Sequence, residues 1–290
     1  MQRAAIDRPL ISCEVTPRMV FAARASRTGA VDIVHSRSLP EGAVTPSLTG
    51  ANIVNGSVVS EAIAECVSAV AGKPSEVTAV IPDAASRVVL LDFENLPQRH
   101  EEAEPVVRFR LKKSLPFDVD RAAVSYDAVR VADGTTKVIS AIVLRTVLEE
   151  YEQVFQNAGC TPSVVIPSTL AALGVIDSDR PTMLLKVDIG TTSVAIVDQN
   201  QLLLFRTLDS GGDASPERLA EDVYPSIVYL QDTYGVNVDR VVLAGVSNTT
   251  PFAPVLSEQT GARVEDIVSS SRMPVSGARS DAAGAIGALL

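Results

Sequence analysis

The chain has 290 residues, a length that allows about two domains and a core that needs no disulfide or metal to hold it together. It carries 25 lysines and arginines against 35 aspartates and glutamates, a net charge of −10, which argues against a nucleic-acid partner because phosphate binding needs a basic surface. Three widely spaced cysteines and two histidines predict free thiols and no metal site. The sequence has no run of about 18 apolar residues, so we predict no membrane-spanning segment.

The first half opens with a β-meander. Residues 10 to 39 read as strand, polar turn, strand, polar turn, strand, with Glu14 at the end of the first strand. Residues 56 to 72 carry apolar side chains at helical spacing and end on Gly72, a common helix stop. Residues 76 to 84, "EVTAVIPDA", then predict a strand.

A smaller unit of mixed strands and helices is predicted next. Its pattern switches between apolar runs typical of strands and amphipathic stretches typical of helices. The predicted elements are a strand at 86–93, a helix at 98–115, two strands at 122–131 and 136–145 around a turn at 132–135, a helix at 146–159 and a strand with a helix at 162–176.

The second half opens with another β-meander, at residues 184 to 208. A helix at 217–235 and a strand at 238–248 follow, then a helix with a short strand at 250–267, and an alanine-rich helix at 280–290. The two meanders align so that Glu14 matches Asp188 and Thr16 matches Gly190. Either two generic meanders look alike by chance, or the fold is duplicated with one such hairpin in each half.

The turn of the second meander has the composition of a phosphate-binding loop. Asp188 ends the strand, Gly190 lets backbone come close to an anion, and hydroxyls follow at Thr191, Thr192 and Ser193. The sequence therefore raises the question of whether this turn still grips a phosphate.

Four segments, which follow one another along the chain as they do in the family, resemble the actin-like ATPase superfamily. The resemblance is to the PilM-like proteins of type IV pilus assembly in particular, which are relatives of FtsA. The four segments are "KVDIGTTSVAIVDQNQLLLFRTLDSGG" at 186–212, "VRFRLKKSLPFDVDRAAVSYDAV" at 107–129, "VVLAGVSNTTPFAPVLSEQTGARVE" at 241–265 and "AAGAIGALL" at 282–290. The helix ending in a Pro-Phe turn, in the second of these, points to the pilus branch.

The resemblance implies an α/β fold of the actin-like, ribonuclease H-like kind. In this fold two similar domains are related by duplication, with a small α+β subdomain inserted into the first and, here, a shortened insertion in the second. The implied ranges are 1–83 with 161–180 for the first domain, 84–160 for the inserted subdomain and 181–290 for the second domain.

The resemblance also implies a nucleotide site, with ATP and Mg²⁺ as the candidate cofactor and no catalytic residue assigned. The implied nucleotide-binding residues are Asp188, Gly190, Thr191, Thr192, Ser193, Gly211, Gly212, Gly245 and Glu14. The first hairpin departs from the family pattern, because Thr16 stands where glycine is usual and Pro17 has no N–H to donate. Val246 replaces a second glycine, and Tyr224 with Pro225 replaces paired arginines. We therefore expect a degenerate ATPase without hydrolysis.

In PilM-like proteins a groove beside the inserted subdomain holds the cytoplasmic N-terminal peptide of an inner-membrane protein, PilN. The implied partner-binding residues are Arg87, Val88, Val89, Leu90, Leu91, Phe93, Arg110 and Lys112, and we expect the peptide between the first domain and the inserted subdomain. A strand at the edge of a small sheet offers free backbone hydrogen bonds to such a peptide.

The expected function is a cytoplasmic scaffold at the inner-membrane face that binds a PilN-like tail and self-associates. The alternative is an active ATPase or phosphotransferase that uses the hairpin at 188–193, and a third reading places the same module in another envelope machine. The first hairpin distinguishes the first two, because phosphoryl transfer in this superfamily needs both hairpins.

Overall fold

A computed structural model of the chain describes residues 9–73, 76–131, 134–212, 214–246, 248–273 and 279–290. The strands of these ranges form three sheets. In chain order the strands are β1 (Ile11–Val15), β2 (Met19–Ala25), β3 (Val31–Ser38), β4 (Glu76–Ile81), β5 (Arg87–Phe93), β6 (Ala122–Arg130), β7 (Thr136–Leu144), β8 (Thr161–Pro167), β9 (Thr182–Val187), β10 (Thr192–Asp198), β11 (Gln201–Leu208), β12 (Arg240–Ala244) and β13 (Arg263–Asp266). The α-helices are α1 (Gly56–Ala71), α2 (His100–Leu111), α3 (Arg145–Asn157), α4 (Ser168–Ala172), α5 (Pro216–Tyr234), α6 (Phe252–Thr260) and α7 (Ala283–Gly287).

Two five-stranded sheets have the same topology. Their strand orders are β3-β2-β1-β4-β8 and β11-β10-β9-β12-β13. In each, three strands form an antiparallel meander and two further strands run parallel to its first strand. The prediction of a duplicated fold is confirmed, and chance similarity between the two meanders is not its explanation.

A small sheet of order β5-β7-β6 lies between β4 and β8 in the sequence, as the predicted insertion requires. Helix α2 covers one face of it through Val107 and Leu111, which share a core with Phe93. Part of the turn predicted at 132–135 lies outside the described residues. Each sheet draws its strands from one of the three predicted stretches, although the domain boundaries themselves stay a prediction.

Helix α3 departs from the simple picture of an insertion at 84–160. Its buried residues Val147, Tyr151, Val154 and Phe155 form one helical stripe, and this stripe joins the core of the first sheet and α1. The helix thus packs its apolar face mainly on α1 and β8 of the first half, while it also touches the small sheet at β6 and β7.

The two halves share a core. Phe21 and Ala23 of β2 belong to the same buried cluster as Leu184 of β9, Ala195 of β10 and Ile286 of α7. Helix α7, near the end of the chain, packs on α4, β1 and β2. The described residues include no helix that is both long and apolar enough to cross a membrane.

Candidate functional site

The turns of both meanders border one cleft between the halves, with a volume of about 450 Å³. The nucleotide site implied by the sequence resemblance would lie in this cleft. Its lining includes Thr16, Arg18, Met19, Phe21, Lys186, Val187, Asp188, Ile189, Gly212, Gly245, Val246, Asn248, Phe252, Arg279 and Asp281.

The second hairpin forms the tight turn that its sequence predicts. Gly190 has a φ of 71°, in the left-handed region that favours glycine, and the Asp188 N–H donates to the Thr191 carbonyl at 2.9 Å. The Asp188 side chain accepts from the Ile189 N–H at 2.8 Å, which fixes the carboxylate at the turn. This turn keeps the small, backbone-rich geometry of an anion-binding loop.

The three predicted glycines surround that turn. A Cβ on Gly211 would lie 2.2 Å from the Gly190 nitrogen, and one on Gly245 would lie 1.9 Å from the Val187 carbonyl oxygen. The Gly212 N–H donates to the Asp188 carbonyl at 2.8 Å. Close backbone packing therefore demands glycine at the first two positions, so their presence does not by itself indicate a nucleotide.

Two of the predicted hydroxyls point away from the cleft. Thr192 and Ser193 begin β10 and are buried. Ser193 hydrogen-bonds Asp83 within the protein, and the Thr192 hydroxyl has no partner among the described residues. Both side chains lie in the protein interior at the start of the strand, and their role as nucleotide ligands stays a prediction.

The first hairpin uses two of its backbone donors within its own turn. The Thr16 N–H donates to the Met19 carbonyl at 2.9 Å, and the Met19 N–H donates to the Thr16 hydroxyl at 3.0 Å. Pro17 has no N–H, so the threonine hydroxyl closes the turn and leaves few amides for an anion.

Glu14 is held in the protein interior. Its side chain is fully buried and absent from the cleft lining. One oxygen accepts from the Ser168 hydroxyl, and the other accepts from the Ala285 N–H at 2.8 Å. The Lys186 ammonium lies 3.4 Å from the first oxygen. The carboxylate is enclosed by groups from both halves, and its role as a nucleotide-binding residue stays a prediction.

Lys186 and the neighbouring carboxyls shift one another's pKa. Burial raises the pKa of Glu14 and of Asp83 above their ordinary values, and Lys186 opposes both shifts. Burial lowers the pKa of Lys186, but the negative charges of Glu14, Asp188 and Asp83 outweigh it and raise that pKa above an ordinary lysine's. Lys186 is therefore positively charged at neutral pH.

A second candidate site is an open groove of about 510 Å³ beside β5. Both β5 and β11 are edge strands of their sheets, and they face each other across it. The groove is bordered by Val88, Val89, Leu90, Leu203, Leu204, Phe205, Arg206, Pro225 and Tyr229. Its far wall belongs to the second half, so this groove is distinct from the interface between the first domain and the inserted subdomain where we predicted the peptide.

The eight predicted partner-binding residues do not form one surface, because strand residues alternate between two faces. Leu90 packs against the core shared by the two halves. Leu91 and Phe93, on the other face, pack in the core under α2, with the Arg110 guanidinium 5.6 Å from the Phe93 ring centroid. Arg110 and Lys112 lie on α2 and do not border the groove. The Arg87 Nε is buried and has no partner in the described ranges.

Comparison with solved structures gives similar folds at low sequence identity. A chain in a PilM–PilN type IV pilus biogenesis complex matches with a TM-score of 0.81 and 15% identity, over 96% of this chain and 97% of that one. The fold is that of the actin-like ATPases. Ethanolamine utilization protein EutJ from Carboxydothermus hydrogenoformans matches with a TM-score of 0.56 and 11% identity, over 98% and 90% of the two chains. An inorganic polyphosphate/ATP-glucomannokinase from Arthrobacter sp. strain KM matches with a TM-score of 0.50 and 12% identity, over 98% and 97%. No protein-family model and no curated protein matches the sequence.

Within this actin-like fold, Lys186 is the site residue that sequence reasoning missed. The signal was present, since Lys186 is the one charged residue in the apolar run "MLLKV". A lysine is almost never fully buried without a partner of opposite charge, so its position in a buried strand calls for a carboxylate nearby. Its partner Glu14 lies in the other half of the chain, where a local pattern gives no indication of it.

Proposed function

We propose that this chain is a non-catalytic, actin-like scaffold of a type IV pilus or related envelope assembly machine. In this proposal it binds an extended cytoplasmic segment of a PilN-like inner-membrane protein, which holds it at the cytoplasmic face of that membrane, and it self-associates there. The fold similarity to a chain of a PilM–PilN complex supports the class of machine.

The observation that carries the binding proposal is the apolar groove beside two edge strands, β5 and β11. An extended peptide laid along β5 or β11 gains backbone hydrogen bonds, while apolar side chains such as Leu90, Leu203 and Phe205 accept its own apolar side chains. The exposed ring of Tyr229, on α5, lies at the rim and is well placed to cover a bound segment.

A matched pair of tyrosines tests this groove. Tyr229 is 47% exposed and borders it, whereas Tyr224 is 48% exposed on the same helix and does not. We expect Tyr229→Ala to weaken binding of the cytoplasmic N-terminal peptide of a PilN-like protein by about tenfold or more in calorimetry, the scale of a truncated aromatic anchor. We expect Tyr224→Ala to change it less than about twofold.

Equal affinity for both variants and the unchanged chain would place the peptide elsewhere. In that case the surface predicted on α2 is tested by reversing the charges of Arg110 and Lys112 together. A salt-dependent loss of binding in that variant, at unchanged melting temperature, would assign the contact to α2.

The non-catalytic part of the proposal rests on the first hairpin, two of whose backbone donors are used within its own turn. We expect ATP turnover by the purified chain to match that of an Asp188→Ala variant, because a phosphoryl-transfer site needs several preorganised donors around the phosphate. Turnover that Asp188→Ala abolishes would instead support the alternative of an active ATPase or phosphotransferase.

A further inference from the structure

A buried lysine lies at the junction of the two halves of the fold, where their first strands meet. The Lys186 side chain is 3% exposed and extends from β9 in the second half to Glu14 on β1 in the first. Asp83 and Asp188 are close enough to raise its pKa further. The single positive charge of Lys186 thus interacts favourably with carboxylates from both halves.

The protein also supplies the other ligands of these carboxylates. Glu14 accepts hydrogen bonds from Ser168 and from the Ala285 N–H. Asp83 accepts from the Thr169 N–H at 3.0 Å and from the Thr169 hydroxyl at 2.5 Å. Oxygens held in this way are oriented toward protein donors, so they are not available as a set to coordinate a cation.

Mg²⁺ does not fit Glu14 and Asp83. It requires near-octahedral oxygen ligands at about 2.0–2.1 Å and keeps several of its waters. The Glu14 carboxylate is fully buried and already paired with an ammonium. A divalent cation brought beside that ammonium would be repelled in a region of low dielectric constant.

We propose that Lys186 takes the place of the divalent cation in this actin-like cleft. Its ammonium joins the first strands of the two halves and keeps the cleft closed with no nucleotide bound. Any anion that enters the cleft then binds without Mg²⁺. This inference is independent of the peptide groove and holds whether or not the chain binds a PilN-like partner.

The first arm of the test uses the unchanged chain. We expect the affinity for ATP to be the same within about twofold in 5 mM MgCl₂ and in EDTA, because under this proposal no divalent cation takes part in binding. Equal binding, or no binding in both solutions, agrees with the proposal. Binding at least tenfold tighter with Mg²⁺ overturns it, as does Mn²⁺ held by the protein in electron paramagnetic resonance titrations.

The second arm removes the ammonium. In Lys186→Met we expect amide hydrogen exchange in residues 283–288, which include the Ala285 N–H bound to Glu14, to speed up at least tenfold under native conditions. Lys137→Met is the matched control, because Lys137 also bridges two parts of the molecule, through a 3.3 Å hydrogen bond to the Tyr234 hydroxyl, but lies away from the cleft.

Fast exchange at 283–288 in Lys186→Met alone supports the bridging role, and unchanged protection there overturns it. If Lys186→Met does not fold, Lys186→Arg replaces it. The arginine keeps the positive charge, so we expect wild-type protection in that variant. Loss of protection in Lys186→Arg despite the retained charge counts against the proposal, and the first arm decides the metal question in either case.

Discussion

The contact between α7 and α4 gives a sharp prediction about stability. A Cβ on Gly287 would lie 2.2 Å from the Ala171 carbonyl oxygen, and a Cβ on Gly174 would lie 2.2 Å from the Gly287 carbonyl oxygen. The ordinary contact distance between carbon and oxygen is more than 3 Å, so Gly287→Ala must push the two helices apart by about 1 Å. The atom that the new Cβ meets is a backbone oxygen, and Cβ is fixed by the backbone, so no side-chain rotation can relieve the clash.

Overpacking of this kind costs about 1–3 kcal/mol. In a protein of this size each kcal/mol lowers the melting temperature by about 2–4 °C. We therefore expect Gly287→Ala to lower the apparent melting temperature by roughly 3–10 °C in circular dichroism or calorimetry. Gly56→Ala, at the start of α1, is the control, because its new Cβ would meet Ile53 at a comfortable 3.8 Å.

A Gly287→Ala variant that melts within about 1 °C of the unchanged chain would refute this account of the helix contact. A fall in both variants would refute it as well, since Gly56→Ala adds a methyl group where there is room and improves helix propensity. We expect Gly56→Ala to be neutral or slightly stabilising.

Two further predictions concern the first half. All three cysteines are buried, and burial raises the pKa of the Cys66 thiol to about 12, so we expect no reaction with Ellman's reagent at pH 8 in the native state and three thiols in denaturant. Glu150 accepts backbone N–H bonds from Asn52 at 2.7 Å and Ile53 at 2.9 Å, so Glu150→Ala should cost about 2 kcal/mol in urea unfolding, whereas the exposed neighbour Glu149→Ala should cost less than about 0.5.

Much of the fold could be predicted because local signals agree with it. The two meanders carry alternating apolar runs and short polar turns, and both were assigned from that pattern. Gly72 and Gly235 end α1 and α5 in the left-handed conformation expected of a helix-stop glycine. Each of these signals lies within a few residues of the structure that it specifies.

The rest depends on contacts between distant parts of the chain. The helical period of α3 predicts an apolar face but does not say that this face packs on α1. Likewise the sequence predicts that β5 is an edge strand. It does not predict that β11 lies across the groove, because that depends on how the two halves pack together. The interior placement of Thr192 and Ser193 and the pairing of Glu14 with Lys186 have the same origin.

The bonds between β1 and α7 have a consequence for translation. Ser12 donates to the Ala285 carbonyl, and Glu14 accepts from the Ala285 N–H, across 273 and 271 positions of sequence. A ribosome that adds about 5–20 residues per second needs roughly 15–50 s to cover that distance. During that time Ser12 and Glu14 lack the Ala285 backbone as a hydrogen-bond partner, so we expect the nascent first sheet to remain partly satisfied and open to chaperone binding. A ribosome that stalls before residue 283 would release a chain whose first strand can never complete its hydrogen bonds.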